Sequence, residues 1–317
     1  MGVAQAGGRL IASATTARHT ALLTAVALLT GAGIAVQSYL NGRLGLSLGS
    51  GDLAATVNNV TGLAALAVIA VATGSLPRAL RRRAGVRPWH LLGGLGGALM
   101  VTTGAVAAPK IGVALLSVAL VCGQTTGSLG ADRAGLSPAG QRHITAPRAV
   151  GVLIAVCAVA LTAVGAHTSP QAGLIALAIV AGAAMAVQQA VNGHLARATG
   201  EPIFASTINF LVGALALVLV SGIATGLSAP HGWSAPAPEY LGGLIGVAAA
   251  TSMLMIVSRL GVLRLMLAVI AGQAFGGLAV DLVAPVRGES VTVATVVGVA
   301  LTFVAVLVSA RGDQGAR

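Results

Sequence analysis

Gly31-Ala32-Gly33-Ile34-Ala35-Val36-Gln37-Ser38-Tyr39-Leu40-Asn41-Gly42 returns later in the chain as Gly182-Ala183-Ala184-Met185-Ala186-Val187-Gln188-Gln189-Ala190-Val191-Asn192-Gly193. The two copies stand 151 residues apart, and the register holds through Asn58 and Asn209, then Gly62 and Gly213. Further on, Gly123-Gln124, Gly127 and Asp132 return as Gly272-Gln273, Gly276 and Asp281, now 149 residues apart. Chance similarity between apolar segments does not keep register over such a length, so the chain is an internal duplication.

What is duplicated is membrane-like. Of 317 residues, 56% are hydrophobic and 8% charged. A soluble domain carries about 25% charged residues, and this chain has too few to cover a water-facing surface. Ten apolar stretches approach the roughly 20 residues a spanning helix needs: 21–40, 53–73, 89–108, 111–131, 149–166, 172–191, 203–223, 240–257, 262–283 and 291–310. The formal charge of +11 does not indicate nucleic acid, because aromatics make up only 3% and the basic residues fill short gaps between apolar runs. With ten helices, fifteen of the 18 basic residues, including Arg78, Arg81, Arg82, Arg83, Arg133, Arg148 and Arg197, fall on one side. Arg43, Lys110 and Arg287 fall on the other. By the positive-inside rule both termini are then cytoplasmic.

The expected fold is all-α and integral to the inner membrane. A disordered tail (1–19) precedes a five-helix repeat (20–167), a second repeat (168–310) and a short C-terminal tail (311–317). Five is odd, so the second repeat enters the bilayer from the side opposite to the first. Such inverted repeats are a frequent architecture of secondary transporters.

Gln37…Asn41-Gly42-Arg43-Leu44-Gly45, its copy Gln188…Asn192-Gly193-His194-Leu195, and Gly123-Gln124…Asp132 with Gly272-Gln273…Asp281 resemble the YdcZ-type family of the drug/metabolite transporter superfamily. Members are often single five-helix proteins, and this chain looks like a tandem fusion of two, over roughly residues 20–310. The resemblance implies movement of small molecules, in the export direction, across the inner membrane. The small multidrug relatives in that superfamily carry a glutamate in their first helix. At comparable depth this chain has Gln37, which does not titrate, and this argues against simple proton/drug antiport.

Polar side chains in hydrocarbon need a reason. Gln37 and Asn41 are four residues apart and share a helix face, which Gln188 and Asn192 repeat. Asn58, Asn209, Gln124 and Gln273 complete the amide set. Amides both donate and accept, so together they are candidates to bind a polar uncharged or zwitterionic solute. The alternative for each is an interhelical hydrogen bond, worth about 0.6 kcal/mol on average. Asn41 and Asn192 fall near expected helix ends, where capping is a further alternative. All seven acids lie near helix ends or in loops; Asp132 and Asp281 are the repeat-related pair, expected as gating or interfacial residues. Gly93…Gly97, Gly242…Gly246, Gly123…Gly127 and Gly272…Gly276 are spaced for close helix packing.

The six histidines lie at ends or in loops without metal-ligand spacing, and no phosphate-binding glycine loop is present. Cys122 and Cys157 read as small buried hydrophobes. Neither a cofactor nor a metal is called for, and no catalytic residues stand out. The expected partners are a small-molecule substrate and membrane lipids, with a homodimer admissible and no nucleic acid. Transport is the leading expectation. A non-transporting membrane scaffold is the main alternative, and a lipid-modifying membrane enzyme the weaker one.

Overall fold

The computed structural model of the chain describes residues 2–82, 85–136, 140–141, 144–163, 169–260, 262–285 and 291–314. Arg83, Arg287 and, in the offset of 149, the counterpart of Gly112 at Gly261 lie outside the described residues. The described residues form helices α1 (Gly2–Leu48), α2 (Gly51–Ala72), α3 (Ser75–Arg81), α4 (Gly94–Ile111), α5 (Val113–Arg133), α6 (Ala146–Thr162), α7 (Ser169–Thr199), α8 (Pro202–Thr225), α9 (Gly242–Leu260), α10 (Val262–Val283) and α11 (Val293–Gln314). Short 3-10 turns at Pro88–Leu91 and Ala237–Leu241 lead into α4 and α9. Among the described residues, seven helical segments are long and apolar enough to cross a membrane, and 146–162 and 293–309 are shorter apolar helices. Large apolar side chains such as Leu29, Val71, Leu219 and Ile223 are exposed, as expected where lipid is the solvent.

Local chemistry sets several of the boundaries. Ser50 caps α2 by accepting from the Leu53 N–H at 3.3 Å. Pro147 and Pro202 stand in the first turns of α6 and α8, where a missing N–H costs nothing. The α4–α5 hairpin turns on the single residue Gly112, at φ 78° and ψ 159°, a conformation that an L side chain resists.

The helix α1 is drawn from Gly2, through the segment expected as a tail. Asn41 and Asn192 are not at helix ends, because α1 continues to Leu48 and α7 to Thr199. Both asparagines therefore stand inside a helix, and capping does not account for them. Of the cysteines, Cys122 is buried as expected, but Cys157 is exposed on α6.

The packing exchanges partners between the two halves. The first helix of the first half, α1, lies along α9 and α10; the first helix of the second half, α7, lies along α4 and α5. α2 packs on α8, and α6 on α11. Along α4, Ser38 lies by Gly104 and Gly42 by Ala108 and Pro109, so α1 runs parallel to α4. Asn192 lies by Gly93 and Gln188 by Gly97, so α7 runs against it. The two first helices are thus antiparallel.

Candidate functional site

The four glycine pairs picked out by spacing all pack on the first helix of the other half. A Cβ at Gly242 would overlap Asn41 Oδ1, and one at Gly246 would come within 2.7 Å of Gln37 Nε2. The other half repeats this: Gly93 meets Asn192 Oδ1, and Gly97 meets Gln188 at 3.3 Å. Gly272 and Gly276 meet Leu28 and Ala32 of α1, and Gly123 and Gly127 meet Ile179 and Ala183 of α7. Glycine is what allows the amides of one half to lie against the helix backbone of the other.

Three amides gather on each side of this seam. Gln37 donates from Nε2 to Asn58 Oδ1 at 3.1 Å, with Asn41 one turn along α1. Asn192 donates from Nδ2 to Asn209 Oδ1 at 3.0 Å, with Gln188 one turn back on α7. Gln37, Asn41, Asn58 and Asn209 are buried, while Gln188 and Asn192 are half-buried. Asn41 Oδ1, Asn58 Nδ2 and Gln188 Oε1 are enclosed and have no hydrogen-bond partner in the protein. Leaving such an atom unpaired costs about 1–3 kcal/mol. Measured along α4, the level of Gly97, where Gln188 lies, and that of Gly104, beside Gln37's neighbour Ser38, are seven residues apart. That is about 10 Å at 1.5 Å per residue.

The structure does not bring Gln124 and Gln273 into these clusters. Gln124 Nε2 contacts Met185 Sδ of α7 at 3.7 Å, and Gln273 is buried on α10 with its backbone against Gly31. Asn59 bonds back to the Ala55 carbonyl and faces Gly213; its counterpart Phe210 fills the equivalent place over Gly62. Asp281 accepts from the Val113 and Ala114 N–H groups at 2.8 and 2.7 Å, capping α5 from the other half. Its repeat mate Asp132 is paired with the buried Arg148.

Each end of the seam carries a contact that spacing alone did not single out. At one end, Arg43 of α1 pairs with buried Glu239 at 3.4 Å, and Ser47 donates to the same carboxylate at 2.7 Å. At the other, the ring of His194 on α7 stacks on buried His90, with centroids 5.4 Å apart and an interplanar angle of 12°. Trp89 stands edge-on to both. The repeat offsets carry Arg43 onto His194 and His90 onto Glu239, so applying them to charged and aromatic residues was the signal that would have found this pair. Outside the helices that cross, Arg78 of α3 holds Glu201, between α7 and α8, with two N–H groups. The Arg78 guanidinium pulls the Glu201 carboxyl below its usual range, with Arg82 adding to the effect. No group of three or more metal-ligating side chains occurs among the described residues.

A family described as "Putative inner membrane exporter, YdcZ" matches the chain twice, over residues 22–161 and 173–308. A solved structure described only as "Crystal structure of protein" superposes with a TM-score of 0.53 at 22% identity, covering 95% of this chain and 99% of its own. That likeness concerns the fold alone. No curated protein matches.

Proposed function

The chain belongs to the YdcZ family of inner membrane exporters, and from that membership we propose that it is a secondary transporter working by alternating access between two inverted five-helix halves. An exporter family points away from an enzyme. In this reading ten helices cross the membrane, both termini are cytoplasmic, and the halves are residues 20–167 and 168–310. The Arg43–Glu239 end then faces outward, and the His90–His194 end faces the cytoplasm.

One observation carries the reading. Enclosed amide atoms without partners (Asn41 Oδ1, Asn58 Nδ2 and Gln188 Oε1) lie on the seam where glycines of one half cover amides of the other. A rigid scaffold gains nothing from such atoms, since each costs about 1–3 kcal/mol. A seam that opens and closes gives them a use: when the glycine face withdraws, they meet a solute that supplies the missing donors and acceptors. Gln37, Asn41 and Asn58 form one half-site and Gln188, Asn192 and Asn209 the other. Amides suit a polar uncharged or zwitterionic small metabolite or drug. Gln124 and Gln273 act on the helix seams behind the half-sites. Asp132 and Asp281 act at helix ends, where they hold the seam's rim.

The test compares solutes inside and outside cells expressing the parent chain or the Gln37→Leu/Gln188→Leu variant at matched membrane levels. Solutes redistributed by the parent alone support the proposal. Identical distributions across parent, variant and empty cells over a broad panel would turn the reading toward a membrane scaffold. Reporter fusions at both termini check orientation, and an external C-terminus would sink the inverted topology.

A further inference from the structure

The two ends of the seam are closed by quasi-equivalent residue pairs of different chemistry. Where one end has the Arg43–Glu239 ion pair, the other has two imidazoles. We infer that the His90–His194 pair is a proton-operated latch: neutral, it holds its end of the seam closed; protonated, it releases that end. This rests on the reading above that the halves move against one another.

The hydrogen bonds define which protons matter. The Arg87 backbone N–H donates to His90 Nδ1 at 3.2 Å, so Nδ1 is the unprotonated nitrogen of that ring. The Leu136 carbonyl lies 3.1 Å from His194 Nε2, and a carbonyl only accepts, so His194 carries its proton on Nε2. A proton added at His90 Nδ1 sets an N–H against the Arg87 N–H. That bond fixes the turn Pro88–Leu91, which leads into α4 and its glycine face. A proton added at His194 Nδ1 puts positive charge against the stacked ring. With both rings charged, two cations face each other 5.4 Å apart, and the stack gives way.

Among the described residues, the acids on the neighbouring elements are held by arginines. The turn packs on α7 and α8, and α8 carries no titratable side chain. From the loop before the turn comes Arg87; from α7, Arg197. The nearby end of α5 carries Asp132 and Arg133, but the Asp132 carboxylate is given to Arg148. On α3 stand Arg78 and Arg81, and the neighbouring acid Glu201 is held by Arg78. Lys110 lies at the far end of α4. The outer pair has an acid, Glu239, where this one has His90. Acidification frees the histidine end.

Trp89 reports on the latch directly. The chain has two tryptophans, so Trp233→Phe leaves Trp89 as the single emitter in the purified full-length protein. Acrylamide quenching is measured from about pH 8 to about pH 5, a window that brackets imidazole titration. The quenching slope should rise by roughly two-fold or more as the rings charge. It should stay flat in His90→Gln/His194→Gln. His90→Glu/His194→Arg copies the opposite end's ion pair and should keep Trp89 protected at both pH values. A slope independent of pH in the parent, or an equal rise in the Gln variant, overturns the latch. If a double variant does not elute as a folded species, His194→Asn alone serves, and an undiminished rise in it overturns the latch equally. The readout needs no substrate. A flat slope with solute movement intact therefore overturns only the latch, and a pH-dependent slope without solute movement overturns only the transport reading.

Discussion

Gly272 of α10 and Leu28 of α1 meet backbone to backbone: the Leu28 carbonyl stands where a Cβ on residue 272 would be. Gly123 meets Ile179 in the same way in the other half. A methyl at 272 therefore forces the two helices apart, and overpacking of this kind costs about 1–3 kcal/mol. Gly222 on α8 has nothing within 4 Å of its Cβ position, and Ala there gains up to about 1 kcal/mol of helix propensity. Thermal unfolding in detergent should show Gly272→Ala lowered and Gly222→Ala equal to or above the parent. Equal values for both would mean that the seam is not tight.

The Gln37–Asn58 bond separates two roles for the amides. As interhelical glue it is worth about 0.6 kcal/mol. As part of a half-site it presents Asn58 and Asn41 to solute. Gln37→Leu leaves Asn58 Oδ1 unpaired and should lower stability by about 1–3 kcal/mol while abolishing solute movement in reconstituted vesicles. A lowered unfolding temperature with unchanged movement would return Gln37 to the role of glue.

The all-helical, membrane class was legible in the sequence because of the long apolar runs, and the family matches the chain twice, over 22–161 and 173–308. Where helices end inside polar sequence was not legible. Asn41-Gly42-Arg43 looks like the close of a helix, yet the helix passes through Gly42, which lies against Pro109, and continues to Leu48. The amides were found individually, but their grouping was not. Gln37 and Asn58 meet because α1 and α2 are neighbours, and what covers them comes from α9, beyond the reach of local pattern. Gln124 stands apart from both groups, with its side chain turned to Met185 on α7. The His90–His194 stack was hidden because each histidine alone looks like an ordinary helix-end residue.

Asp281 ties the end of α10 to the start of α5 by accepting two backbone N–H groups. These belong to the unpaired donors at a helix N-terminus. Asp281→Ala leaves both without the carboxylate and should cost about 0.5–2 kcal/mol. Asp281→Asn keeps one acceptor oxygen and should fall between Ala and the parent. Unfolding temperatures in detergent give the order, and Asn equal to Ala would show that charge, not the acceptor, is what the helix end uses.

Glu201 gives a pH test with a definite sign. Its carboxyl is pulled below the usual range by the Arg78 hydrogen bonds and charge. A group with a depressed folded pKa adds stability above its unfolded value, about 4.3 for Glu. That stability is lost as pH falls through the lower, folded value. Glu201→Gln should therefore unfold at a lower temperature than the parent at about pH 7, with the gap shrinking in high salt because the pair is near the surface. As pH falls through the carboxyl's lowered folded value, the two should converge. A gap that persists undiminished in acid would assign Glu201 a packing role at the α7–α8 junction and would leave the Arg78 pair without energetic consequence.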